Sequence, residues 1–122
     1  MKLTIHGRNI EVSEMLAEHL RERLARALRR FHGHIEHVVV MFTDLDGPRR
    51  GARQASCRVT AELGDGRRTR VEARERHFFA SASTAARLIG RLVDLELFDA
   101  RRARRAAAPA EQVSAHGAGG AP

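Results

Sequence analysis

Tryptophan and tyrosine are absent from this sequence, and five phenylalanines bring its aromatic content to only 4%. A core must therefore come from Leu, Val, Ile, Ala and Phe. Stacking platforms for unpaired bases are nearly unavailable, which argues against sequence-specific reading of single strands. Cys57 is the single cysteine, so there is no disulfide framework within the chain and no zinc site built on cysteines. No apolar run approaches the roughly 18 residues that a spanning helix needs. The opening MKLTIHGRNIEVSE lacks the apolar stretch and cleavage site of a signal peptide. These absences imply a cytosolic protein with no membrane partner.

Positive charge is what the sequence has in excess. The 122 residues carry a formal net charge of +7, and the pI is near 11.4. Lys2 is the only lysine, so the remaining basic residues are arginines. Their planar forks suit phosphate oxygens. Such a balance points to a polyanionic partner, most plausibly nucleic acid; an acidic membrane surface is the other candidate on charge alone. The length suits one domain with one modest core.

Ser13 to Phe31 reads as an amphipathic helix. Leu16, Leu20, Leu24, Ala27, Leu28 and Phe31 recur at three- and four-residue steps. Ser13 stands where an N-cap belongs, and Glu14 and Glu18 favour the positive end of the helix dipole. At about 100° per residue, His19, Arg23, Arg26 and Arg30 line one flank of the apolar stripe, while Glu14, Glu18 and Glu22 line the other. The bland alternative is a solvated face with Glu22 and Arg26 as an i,i+4 pair.

The rest of the chain supplies a sheet and a second helix. Lys2–His6 is a short strand, and Gly7, Arg8 and Asn9 turn the chain. A strand from about Glu36 to Thr43 is apolar on both sides and should be central. With the helix between them, the two strands form a βαβ unit and should pair in parallel. Asp44–Gln54 is a loop rich in Gly, Pro and Arg. Ala55–Leu63 and Arg67–Arg74 alternate around the turn Gly64-Asp65-Gly66, giving a half-buried hairpin. His77 to about Ala103 is the second helix, ending in Arg101, Arg102, Arg104 and Arg105. Residues 106–122 are rich in Ala, Gly and Pro and should be a disordered tail. The fold class is α+β: a two-layer β-α-β-β-β-α sandwich over 1–105, a four-stranded mixed sheet with both helices on one face. Double-stranded-RNA-binding domains share this layout apart from the leading strand.

Motifs for catalysis or metal binding are weak. His32, His34 and His37 sit at a helix-to-strand turn with no fixed fourth ligand. Asp44-x-Asp46-Gly47 opens like a calcium loop but lacks the distant bidentate Glu. Cys57 reads as a small core residue. No Ser/His/Asp set or phosphate-cradling glycine loop stands out. The sequence thus predicts no enzyme, no metal site and no cofactor.

Three local motifs stand out together: the first helix with Arg23 and Arg26, the segment FTDLDGPRRGARQASCRV, and the pair Gly90-Arg91. With them the sequence resembles the ribosome hibernation-promoting factor and ribosome-associated inhibitor family, also called sigma-54 modulation proteins. The resemblance covers roughly residues 1–98. Asp46 replaces the Asn usual in one subgroup. The second helix begins at His77, and Thr84, Leu88, Leu95 and Glu96 stand where basic residues are common. The resemblance implies a short-form, non-enzymatic factor, without the C-terminal dimerisation domain of the long form. Such a factor binds 16S rRNA of the small ribosomal subunit near the mRNA and tRNA channel and silences idle ribosomes. The RNA-binding residues expected are Arg23, Arg26, Arg30, Arg49, Arg50, Arg91, Arg101 and Arg102. Two alternatives are a non-ribosomal RNA-binding regulator and a protein-interaction module. In the latter, Leu88, Leu92, Leu95 and Phe98 make the second helix a homodimer surface, rimmed by Arg87 and Arg91.

Overall fold

The computed structural model describes residues 1–45 and 54–106, with side chains described up to residue 98. The elements are β1 (Lys2–Arg8), α1 (Glu14–Leu28), a 3₁₀ segment (Arg29–His34), β2 (Ile35–Asp44), β3 (Ala55–Leu63), β4 (Arg68–Glu75) and α2 (Phe78–Ala106). Strand order is β1-β2-β3-β4. The β1–β2 pair is parallel, with Leu3 opposite Val38 and Ile5 opposite Val40. The β2–β3 and β3–β4 pairs are antiparallel. The loop between β2 and β3, including Asp46, Arg49 and Arg50, lies outside the described residues, as does the chain beyond 106.

Both helices cover one face of the sheet. Leu16, Leu20, Leu24 and Leu28 of α1 and Ala82, Ala86, Ile89 and Val93 of α2 pack onto Val38, Val40, Phe42, Cys57 and Val59. Ten of these have no exposed surface, so the sandwich has one continuous dry layer. As expected for a central strand, β2 buries Val38, Val40 and Phe42 and half-buries Val39 and Met41 on its other side. Phe78 meets Phe42 edge-on, with centroids 5.8 Å apart.

Local chemistry sets the joints. Ser13 is the N-cap of α1, with its Oγ accepting from the Leu16 amide at 3.1 Å. Asn9 takes a left-handed φ of 61°, tolerable for Asn and suited to the turn out of β1. A Cβ on Gly7 would lie 2.3 Å from the Ile10 carbonyl oxygen, so the close return of the chain requires glycine there.

Element ends differ from the sequence reading. The first helix stops at Leu28, and Phe31 belongs to the 3₁₀ segment, where the tighter winding still buries it. The chain must drop from the helix layer to the sheet within six residues. The first strand runs two residues past His6 to Arg8 because the parallel ladder continues to Thr43. The second helix begins at Phe78, with the His77 carbonyl accepting from the Ser81 amide at 3.0 Å. It continues to Ala106, since Ala and Arg are strong helix formers.

Candidate nucleic-acid interface

The two helices meet where Ala27 faces Gly90. A Cβ on Gly90 would lie 3.1 Å from both the Ala27 Cβ and its carbonyl oxygen. The missing side chain lets the helices pack closely, and the solvent side of their seam is the furrow that any two packed helices leave between them. His19 Nε2 hydrogen-bonds the Ser83 hydroxyl at 2.8 Å and meets Phe79 edge-on. Arg30 donates to Asp94 at 3.5 Å. The basic flank of α1 therefore faces α2, and these cross-links fix its rotation.

Arg23, Arg26 and Arg30 are all exposed along this flank. Arg30 sits 4.8 Å above the Phe31 ring, which steadies the guanidinium while leaving most of it in water. Arg26 reaches Glu22 at 3.9 Å with both side chains 68% exposed, so the i,i+4 pair forms but holds the arginine weakly. Arg23 makes no ion pair among the described residues. Across the furrow, Arg87 and Arg91 are exposed on successive turns of α2. The other flank of α1 stays acidic, and Glu18 pairs with Arg21 at 3.7 Å. Along the helix layer a positive strip thus lies beside a negative one, and the negative one meets α2 at Phe79, where Glu14, Glu18 and Glu22 share a hollow with it.

Of the eight arginines expected to bind RNA, Arg23, Arg26, Arg30 and Arg91 share this surface. The backbone of Arg101 and Arg102 continues α2, with their side chains outside the described residues, and Arg49 and Arg50 lie in the undescribed loop. From sequence Arg87 is only the rim of a dimer contact. Its signal was its place four residues before Arg91, on the same helical face. The role of His19 as a cross-link could not be read from one sequence, because its partner is 64 residues away.

The other candidate chemistry is placed as follows. His32 and His34 are exposed on the 3₁₀ segment, whereas His37 faces the opposite side of the sheet. There its Nε2 bonds the Thr4 hydroxyl at 2.8 Å and its Nδ1 lies 3.6 Å from Glu62. Among the described residues no group of three or more potential ligands gathers around one point. Burial pushes the Cys57 thiol up to about 12, so it is a core side chain and no nucleophile at neutral pH. Leu88 and Leu92 pack partly against the core, while Leu95 and Phe98 are 55% and 45% exposed. Gly90 turns the other side of α2 toward α1, so the first helix does not cover Leu95.

Residues 3–94 match the family model described as Sigma 54 modulation protein / S30EA ribosomal protein. The chain belongs to this family. Its fold is also that of two solved structures. The N-terminal domain of Protein Y from Thermus thermophilus superposes with a TM-score of 0.60 at 21% identity, covering 76% of this chain and 96% of that one. A ribosomal subunit interface protein from Coxiella burnetii gives 0.64 at 14% identity, covering 82% and 99%. No curated protein sequence matches the chain. Among the described residues no helix is long and apolar enough to cross a membrane.

Proposed function

We propose that this member of the family is a cytoplasmic, non-enzymatic ribosome hibernation factor. It binds 16S rRNA of the small subunit near the mRNA and tRNA channel through the furrow between α1 and α2, and so inhibits translation. The observation that carries this reading is the arginine strip of Arg23, Arg26 and Arg30, on a flank tied to α2 through His19 and Arg30, with Arg87 and Arg91 exposed on α2. Guanidinium groups at a ridge between two helices can neutralise several phosphates while reading little base identity. The near absence of aromatic side chains agrees with recognition of folded RNA by shape. The family's description as ribosomal proteins, and the Coxiella burnetii neighbour named as a ribosomal subunit interface protein, name a setting that such a surface suits.

Co-sedimentation with purified small subunits tests the reading. Wild-type protein should pellet with subunits at moderate salt. Arg23→Glu, Arg26→Glu, Arg30→Glu should abolish this without unfolding the domain, because all three lie outside the core. Normal binding by the triple variant would remove the helical surface from consideration.

A homodimer through α2 is a second reading, favoured by exposed Leu95 and Phe98. Light scattering at micromolar concentration decides it: a monomer ends the idea. A dimer dispersed by Leu95→Glu supports it.

A further inference from the structure

A second concentration of arginine lies on the side of the sheet away from the helices. Strand register fixes its layout. Lys2 and Arg8 stand on edge strand β1, Arg68, Arg70 and Arg74 on edge strand β4, and Arg58 on β3 between them. All six are exposed. Two carboxylates share the face, and both are engaged within it. Glu72 accepts from the buried Ser56 hydroxyl at 2.7 Å and from Arg74 Nε at 3.3 Å. Glu62 lies 3.6 Å from His37 Nδ1 and 3.8 Å from Arg68 Nε. Lys2, Arg8 and Arg70 have no ion-pair partner among the described residues.

Six cations against two occupied carboxylates leave this face strongly positive. Apart from Arg58 and the paired His37 and Glu62 its floor is neutral, with Thr4, Val39, Met41 and Thr60 half-buried between the charged edges. From β1 to β4 is three interstrand gaps, about 14 Å, and alternate residues along β4 are about 7 Å apart. The latter spacing is comparable to that of neighbouring phosphates on one strand. No phenylalanine projects from this face, so the large aromatic platforms that hold unpaired bases are lacking there. Cationic rails on a neutral floor complement a phosphate backbone in charge and in form. An acidic protein segment would match the charge alone.

The geometry points to a second phosphate-binding surface on the open face of the sheet, which takes the backbone of an RNA duplex. The helix furrow lies on the opposite side of the sandwich, so one domain bridges two RNA segments. The bridging rests on the RNA-binding reading of the helices, whereas the sheet surface stands on its own residues.

The test uses two short RNA duplexes, one with a donor and one with an acceptor fluorophore, titrated with the full chain. Wild-type protein should bring them together, and energy transfer should saturate at two RNAs per protein. Arg8→Glu, Arg70→Glu should lose the transfer and weaken the second binding step by at least about tenfold, while still holding one RNA per protein. Arg8→Lys, Arg70→Lys keeps both charges and should bridge as wild type does. Arg70→Gln, a smaller change, should weaken the same step if the double glutamate variant melts early. Arg23→Glu, Arg87→Glu should likewise hold one RNA without bridging. Transfer that survives Arg8→Glu, Arg70→Glu, as a protein dimer would give, overturns the proposal. So does a sheet variant that titrates like wild type, the result expected if an acidic protein occupies this face. If the helix variant binds both RNAs normally and the sheet variant binds neither, the sheet surface stands and the helical reading fails.

Discussion

Ser56 has almost no exposed surface, yet its hydroxyl spends its hydrogen bond on a surface carboxylate. That bond is the main reason the Glu72 carboxyl is held below the usual range, with the charges of Arg74 and Arg58 adding to it and partial burial opposing it. Asp65 is lowered too, first by the Arg67 backbone amide in the hairpin turn. A carboxyl whose folded-state pKa lies below its unfolded value stabilises the fold fully above the unfolded value, about 4. The contribution disappears as pH falls through the folded value. The melting temperature should therefore be flat from neutral pH to about 5 and fall below about 4. Ser56→Ala should lower it at pH 7 by roughly 5 °C, for about 1 kcal/mol lost from a charge-assisted bond. It should also make the acid-side decline shallower. Thermal melts of both proteins from pH 3 to 7 check this; parallel curves would show that the hydroxyl does not set the Glu72 titration.

Among the elements, α1 and the hairpin were the most legible in the sequence, because periodicity and turn chemistry are local. Leu16, Leu20, Leu24 and Leu28 name the buried stripe, and alternation in β3 and β4 names their buried face. The 3₁₀ segment was not legible: Phe31 continues the helical apolar spacing, and only the need to reach β2 tightens the winding. The flank of α1 that meets α2 was also hidden, since His19–Ser83 and Arg30–Asp94 each join residues 64 apart. Gly90 shows how a local motif acquires its reason from packing. In an exposed helix Gly→Ala would gain roughly 1 kcal/mol, but here an added Cβ meets Ala27 at 3.1 Å. A bulkier Gly90→Val must push the helices apart and should cost about 1–3 kcal/mol. It should also weaken RNA binding by moving Arg87 and Arg91 away from the α1 strip. Chemical denaturation and subunit binding together check this. Destabilisation with unchanged binding would mean that the two arginine sets act separately.

At the scale of the whole molecule, charge is sorted by surface more than by segment. Alternation in the hairpin strands puts Arg58, Arg68, Arg70 and Arg74 on their outward side, but alone gives no reason to join Arg58 and Arg70 to Lys2 and Arg8. Strand order and register supply that reason, by setting β1 and β4 at opposite edges of one face. The helical furrow forms similarly, from α1 and α2 meeting at Gly90. Binding to rRNA should then follow counterion release: each phosphate neutralised adds roughly 0.7 to 0.9 to the slope of log K against log salt. Five furrow arginines, Arg23, Arg26, Arg30, Arg87 and Arg91, have exposed side chains. Arg26 and Arg30 already lie near carboxylates, so their contribution to the slope should be smaller than that of Arg23, Arg87 and Arg91. Replacing the latter three singly by Gln should reduce the slope by about 1 each, while Arg26→Gln should reduce it by less. Salt titrations of small-subunit binding by each variant distinguish the two groups. Equal slopes for all four single variants and wild type would place the phosphate contacts outside the furrow.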